Sequence, residues 1–216
     1  MPTFRPLLAG ALASLFSLIA ALPLPAQSQV AADALVKTIT QDVTAIVKQD
    51  KDIQAGDKKK VYDLVDAKVL PFFNFTRMTQ LAVGRNWSKA TPEQQKTLVG
   101  EFRTLLVRTY SVALTNYRNQ TIDYKPMRAQ PADTEVTVRT VVNQPRGDPV
   151  TIDYSMEKIA DGWKVFDVAV QGVSLVTNYR EEFANRVKDG GIDGLLKTLA
   201  DKNQGSASGA PRAGSR

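Results

Sequence analysis

The sequence has 216 residues, 43% of them hydrophobic, with a formal net charge of +6 and neither cysteine nor histidine. This length and apolar fraction suit one globular domain that folds on a hydrophobic core without disulfides. The missing side chains exclude Ser-His and Cys-His nucleophilic pairs, zinc sites built from Cys and His, and haem ligation by His.

The N-terminus has the pattern of a secretory signal. Arg5 supplies positive charge before an apolar run over Leu7–Leu22, and small residues follow at Ala26 and Ser28. The segment is too short and too weakly flanked for a permanent membrane span, so we interpret residues 1–26 as a cleaved signal peptide. Residues 204–216 have no means of burying apolar surface and are predicted to be a disordered tail. The domain is therefore expected over residues 27–203.

The charge pattern argues against a nucleic-acid partner. The net charge falls to about +3 once Arg5, Arg212 and Arg216 in the two ends are set aside, and the remaining basic residues are mixed with acidic ones. Such mixing is typical of a solvated surface rather than of a nucleic-acid footprint. A weak attraction to anionic membranes or partners remains open.

Helices are predicted first along the chain. Apolar residues recur at helical spacing over Ala32–Asp50, and a second helix is expected before Pro71. A helix-like pattern then follows Phe75 and stops at Gly84. Thr91-Pro92-Glu93-Gln94 has the form of a capping box, so a long helix should start there and reach about Tyr117. Its wide apolar stripe is also what an ordinary central core helix would show.

Strands follow once the hydrophobic period changes from 3.6 to 2. Alternation is clear over Thr134–Asn143 and Pro149–Lys158, and it predicts an antiparallel sheet with one covered face. A shorter edge strand is expected over Thr121–Met127, where Pro126 forbids a central place. A fourth strand starts after Asp161-Gly162, but its pattern leaves its inward side open. Two closing helices are predicted, separated at Asp189-Gly190-Gly191.

The motifs with catalytic potential are weak. Gly172 to Val176 resembles a nucleophile elbow, but the second glycine is missing and no histidine could activate Ser174. Asp167 lies between Phe166 and Val168, where a carboxylate is more often a hydrogen-bonded structural residue than a catalytic one. The remaining signal is the number of large apolar side chains that converge on one space, which they would either fill or leave as a dry cavity.

Three stretches and their order resemble a known family. They are VLPFFNFTRMTQLAVGRNWSKATPEQQ from Val69, WKVFDVAVQGVSLVTNYREEF from Trp163 and GIDGLLKTL from Gly191. The chain resembles the MlaC family of periplasmic phospholipid-binding proteins, also named for toluene tolerance. The resemblance implies an α+β fold similar to the nuclear-transport-factor group, in which a curved antiparallel sheet of about four strands packs against several helices around an apolar lipid cavity.

The family also implies a function. Its members are soluble periplasmic carriers of glycerophospholipid between an outer-membrane lipoprotein complex and an inner-membrane ABC transporter complex, which together maintain outer-membrane lipid asymmetry. No cofactor and no catalytic residue would be needed, and the phospholipid would be cargo. The acyl chains would lie against the converging apolar side chains, which are Phe72, Phe73, Met78, Leu81, Leu105, Tyr110, Val136, Val138, Ile152, Tyr154, Phe166, Val168 and Val170. The alternatives are an envelope adaptor with a filled core and a small-molecule enzyme that uses Asp167 or a tyrosine.

Overall fold

Helices and one antiparallel sheet make up the part of the chain that the computed structural model describes, residues 31–117, 119–130 and 132–205. The predicted signal peptide and most of the predicted tail lie outside these residues. The helices are α1 (Ala32–Gln49), α2 (Lys51–Ala55), α3 (Lys58–Lys68), α4 (Phe75–Val83), α5 (Pro92–Tyr110), α6 (Val112–Thr115) and α7 (Leu175–Gly205), with 3-10 turns at Leu70–Phe72 and Gly84–Lys89. No helix of the described residues is long and apolar enough to cross a membrane.

The sheet has its strands in sequence order, each antiparallel to the next, as the alternation predicts. The strands are β1 (Thr121–Tyr124), β2 (Glu135–Asn143), β3 (Val150–Ile159), β4 (Gly162–Val170) and β5 (Val173–Ser174). The predicted α+β class and antiparallel sheet are therefore confirmed, with a short fifth strand added at the edge. Pro126 follows the end of β1, in agreement with its exclusion from a central strand position.

A bulge in β4 decides which side chains of that strand face inward. Ser155 pairs with Asp167 and Met156 pairs with Val165, so Phe166 is an extra residue in β4 without a partner in β3. A bulge of this kind reverses the alternation of faces. Val165 therefore lies on the same face as Met156. After the bulge, Val168 lies on that same face, opposite Tyr154.

The long central helix starts as predicted and is divided into two segments near its end. Thr91 Oγ1 accepts a hydrogen bond from the Gln94 backbone N–H at 3.2 Å, and Gln94 Oε1 accepts one from the Thr91 N–H at 2.9 Å, which completes the capping box. Helical structure then reaches Thr115, close to the predicted end at about Tyr117, but it is divided at Ser111 into α5 and α6. Leu114 and Tyr117 pack against the same cluster of α1, α2 and α3 as Val107 of α5.

The buried side chains of the described residues form three clusters. The helical cluster joins α4, α5 and α7, and its largest buried members are Phe102 and Phe183. The N-terminal cluster joins the second half of α1 to α2 and α3 around Val47 and Ile53. The sheet cluster joins the first half of α1 to the sheet, through Ala32, Val36, Val138, Met156 and Val165.

The closing helix α7 has one break. Gly191 has φ 67° and ψ −166°, a conformation outside the helical region and almost confined to glycine. Two helical segments therefore meet at this residue, as the Asp189-Gly190-Gly191 sequence predicts. Ile192, Leu195 and Leu199 of the second segment are buried in the helical cluster.

Candidate functional site

The inner face of the sheet is the side that α1 covers, and its packing becomes looser along the strands. Under α1 it is tightly packed, since Val138 is 1% exposed and Met156 fully buried. Further along the strands the inner residues are half-buried and lie outside the three clusters of the described chain. These half-buried positions are Val142, Val150, Ile152 and Val170. The sheet thus continues an apolar surface beyond the region where helices pack closely on it.

Cross-strand registry brings several predicted site residues together on this face. Val138 stands opposite Tyr154, which stands opposite Val168, and Ile152 stands opposite Val170. The bulge at Phe166 produces this arrangement, since without it Val168 and Val170 would face the other side. These residues form a continuous apolar strip across three strands.

Hydroxyl groups, rather than charges, interrupt the inner face. Thr40 of α1 and Tyr124 of β1 form a hydrogen bond between their hydroxyls at 2.6 Å. Burial raises the pKa of Tyr154 to about 12, while a hydrogen bond with Thr140 acts in the opposite direction. Tyr154 is therefore neutral at physiological pH. Thr140, itself 1% exposed, donates its hydroxyl to the Ile152 carbonyl at 3.1 Å.

Other predicted site residues lie on the helical side. Met78 and Leu105 are buried in the helical cluster, and Leu81 is half-buried against it. Tyr110 is 39% exposed at the end of α5. It lies near Tyr179, whose pKa is raised chiefly by burial and further by Tyr110.

Phe73 connects the two sides of the molecule, because it packs against both the helical cluster and the sheet cluster. Its ring stacks on Phe75 with centroids 5.7 Å apart. Both rings line a surface groove of about 520 Å³ between the Leu70–Phe72 turn, α5 and β4, which we call the Phe73 groove. Phe72 is half-buried in the turn itself.

The remaining predicted site residues are Val136 and Phe166. Val136 stands opposite Met156 and packs against the sheet cluster, whereas Phe166 packs against the helical cluster. Both also border a second groove, of about 710 Å³, on the polar face of the sheet. Phe166 is set apart from Val168 and Val170, since it is the bulged residue. The Arg77 guanidinium lies 3.7 Å from the centre of its ring. Arg77 also donates to Glu157 at 2.6 Å and to Glu135 at 2.7 Å, which ties α4 to two strands.

Asp167 has a full set of structural partners. One carboxylate oxygen accepts from the Val168 and Val176 backbone N–H groups at 2.8 and 3.1 Å, and the other accepts from the Ser174 hydroxyl at 2.5 Å. These bonds fix the tight junction between β4 and the start of α7. Within the described residues, no group of three or more carboxylates has the arrangement of a metal site.

Most residues that line the Phe73 groove were not singled out by sequence reasoning. They come from several separate elements, and no spacing or period joins them: Asp66, Leu70, Asn74, Thr76, Val99, Arg103, Ile159 and Lys164. The sequence does place two cations, Arg103 and Lys164, next to apolar residues. Their common location becomes apparent only in the folded structure.

Together, these features define an α+β protein whose helices cover part of an uncharged apolar face of an antiparallel sheet. The MlaC protein family matches residues 37–201, so the chain belongs to the MlaC family, as the three sequence stretches predict.

Relatives and solved structures agree with this assignment. The chain is 27% identical to the toluene tolerance protein Ttg2D of Pseudomonas putida, over 86% of each protein. It is 28% identical to the intermembrane phospholipid transport system binding protein MlaC of Haemophilus influenzae, over 73% of this chain and 76% of the relative. A phospholipid-binding protein from Ralstonia solanacearum, solved in complex with a phospholipid, is 47% identical, with a TM-score of 0.78 over 83% of this chain and 100% of that chain.

Proposed function

We propose that the protein is a periplasmic carrier of glycerophospholipid that moves lipid between membrane complexes of the cell envelope. The observation that carries this proposal is the uncharged apolar strip of Ile152, Val168 and Val170, which extends beyond the packed core. The phospholipid held by a relative of the same fold with 47% identity supports it. The name of the Haemophilus influenzae relative, an intermembrane phospholipid transport system binding protein, supports a transport role.

The physical requirement for such a carrier is an apolar interior inside a polar surface. A diacyl phospholipid buries on the order of 30 methylenes at about 0.8 kcal/mol each, so its escape into water is prohibitive. We place the acyl chains along the strip and against Phe73, Leu81 and Tyr110, between the sheet and the helices. No catalytic group and no cofactor is needed for this role.

We further propose which complexes exchange lipid with the carrier. One is an outer-membrane lipoprotein complex and the other an inner-membrane ABC transporter complex, with residues 1–26 directing the protein to the periplasm between them. The support is family membership together with the secretory pattern around Arg5. Exchange of radiolabelled phospholipid between the purified carrier and each complex in proteoliposomes tests this part.

The test of lipid carriage is direct. Protein purified from an envelope fraction without detergent should carry phospholipid, identified by native mass spectrometry followed by lipid extraction. A protein that is recovered without lipid and that also fails to load from phospholipid vesicles would contradict the proposal.

The Asp167→Asn substitution distinguishes a lipid carrier from an enzyme that uses this carboxylate. The substitution weakens the junction bonds to Ser174 and Val176, so we expect a loss of about 1–2 kcal/mol in the free energy of unfolding. Phospholipid content should survive as long as the domain folds. Asp153→Asn, at the partner of Arg139 on the polar face, is the matched control. A folded Asp167→Asn protein that lost a measured turnover would favour the enzyme.

A further inference from the structure

One row of the inner face leads from the core to the edge of the sheet. Thr140 of β2 pairs with Ile152, which pairs with Val170. Val170 in turn pairs with Val173 of β5. Paired residues project from the same face of a sheet, so these four side chains form one continuous row across four strands. Exposure rises along the row from 1% at Thr140 to 58% at Val173, with the two half-buried residues between them.

Val173 stands out among the described residues as the most exposed large apolar side chain. A single exposed valine is ordinary on a protein surface. Val173 differs because it continues the inner row, whereas the exposed Ile159 lies at the far end of β3 and Tyr110 lies on α5. β5 is the last strand of the described sheet, so no further strand covers Val173. The apolar strip is therefore open to solvent at the β5 edge.

The turn that carries Val173 is fixed by several hydrogen bonds. Gln171 and Gly172 have φ 51° and 78°, and positive φ at both central residues is what a tight two-residue hairpin requires. The left-handed region is uncommon for a glutamine. The Gln171 N–H donates to the Thr151 carbonyl at 2.9 Å, Gln171 Oε1 accepts from the Thr151 hydroxyl at 3.0 Å, and Gln171 Nε2 donates to the Pro149 carbonyl at 3.1 Å. These bonds to the start of β3 hold Val173 in register on the inner face.

We propose that phospholipid enters and leaves the protein across the β5 edge, with an acyl chain passing over Val173. Each methylene that moves from apolar surroundings into water costs free energy, so an acyl chain crosses most easily where apolar surface continues to the edge. Val173 supplies the last part of that surface. This inference rests on the proposed function and deepens it by assigning the route of lipid transfer.

The experiment measures lipid transfer in both directions. Uptake is followed with delipidated protein and vesicles of phosphatidylethanolamine and phosphatidylglycerol, and release is followed from protein with its co-purified phospholipid to methyl-β-cyclodextrin. We expect Val173→Asp to slow both rates by at least about tenfold, the factor that corresponds to the burial of one valine side chain. The amount of lipid held at equilibrium should stay unchanged, because a residue on the route alters the barrier and not the end states.

Two control variants separate the route from general effects of substitution. Val173→Leu keeps the apolar surface and should keep both rates. Thr121→Asp adds the same charge at an exposed position on the opposite edge of the sheet and should also keep both rates. If aspartate at position 173 lowers the thermal midpoint, Val173→Thr takes its place, since threonine keeps the branched shape and should also slow both rates.

The outcomes distinguish the route from lipid carriage itself. Unchanged rates in Val173→Asp, or equal slowing in Thr121→Asp, would overturn the β5 route and leave lipid carriage intact. A loss of bound lipid at an unchanged thermal midpoint would also overturn it, because Val173 would then form part of the resting cavity wall. If the unsubstituted protein held no lipid and took up none, lipid carriage would fail.

Discussion

At the scale of single residues, a substitution at Ile152 distinguishes a filled core from a lipid cavity. It lies on the inner face opposite Val170, half-buried beyond the packed sheet cluster. In a filled core, a glutamate here would lose several kcal/mol of solvation, out of a total stability of roughly 5–15 kcal/mol, and the domain would unfold. Beside a cavity, water can follow the charge, and only the acyl chains lose their dry surface.

For Ile152→Glu we therefore expect a cooperative thermal transition at a modestly lower midpoint, together with loss of the co-purifying phospholipid. Calorimetry and lipid extraction measure the two effects on one preparation. Thr151→Glu places the same charge at an exposed position on the opposite face and should keep the lipid. An unfolded Ile152→Glu variant would favour the filled core. A folded variant that kept its lipid would show that Ile152 does not line the cavity.

Tyr154 should make the protein sensitive to alkali. Burial raises its pKa from 10.0 to about 12, so the folded state holds the proton more tightly than the unfolded state. The stabilisation from this group is complete below pH 10 and is lost as the pH rises towards 12, by up to about 1.4 kcal/mol per pH unit.

Tyr154→Phe should show a shallower fall in the free energy of unfolding between pH 10 and pH 12. Urea unfolding at a series of pH values measures this effect. Parallel curves for the two proteins across the alkaline range would show that Tyr154 does not cause the loss.

At the scale of elements, the break in α7 depends on one glycine. Gly191→Ala places a side chain where φ is 67° and ψ is −166°, at a cost of about 1–3 kcal/mol. Gly190→Ala is the matched control, since its φ lies outside the positive range and open space surrounds the added methyl group. The control should be neutral or stabilising by up to about 1 kcal/mol. Equal stabilities of the two variants in urea would contradict a special role for Gly191.

The elements themselves were largely predictable, because their signals are local. The capping box at Thr91, the alternation in β2 and β3 and the glycine pair before the second half of α7 all act through neighbouring residues. The bulge at Phe166 was not predictable. It is defined by the pairing of β4 with β3, so no pattern within β4 itself marks it.

The inner face was predictable only in part for the same reason. Periodicity identifies the inward residues of β2 and β3, where the alternation is regular. In β4 the register depends on pairing with β3, which decides that Val168 faces inward and Phe166 does not. The Phe73 groove depends on distant contacts throughout, and Arg103 and Lys164 lie 61 positions apart in the sequence.

At the scale of the whole molecule, the modest positive charge should accelerate docking to anionic partners. The proposed exchange complexes need encounters that are fast and brief, and charge steering increases association rates more than affinity. Association rates should fall as salt rises from low to physiological levels, where the Debye length shortens to about 8 Å. Stopped-flow or surface-based kinetics can follow this, and rates independent of salt would exclude steering.

The division of the buried side chains into three clusters has a consequence for how the molecule opens. Regions that pack mainly within themselves can unfold locally at a free energy well below that of the whole domain, and their amide hydrogens then exchange early. A ligand lying between the clusters touches all of them, so each local opening would have to break contacts with that ligand as well. Bound lipid would therefore couple the three clusters. The loaded protein would unfold as one cooperative unit, whereas the empty protein would unfold region by region.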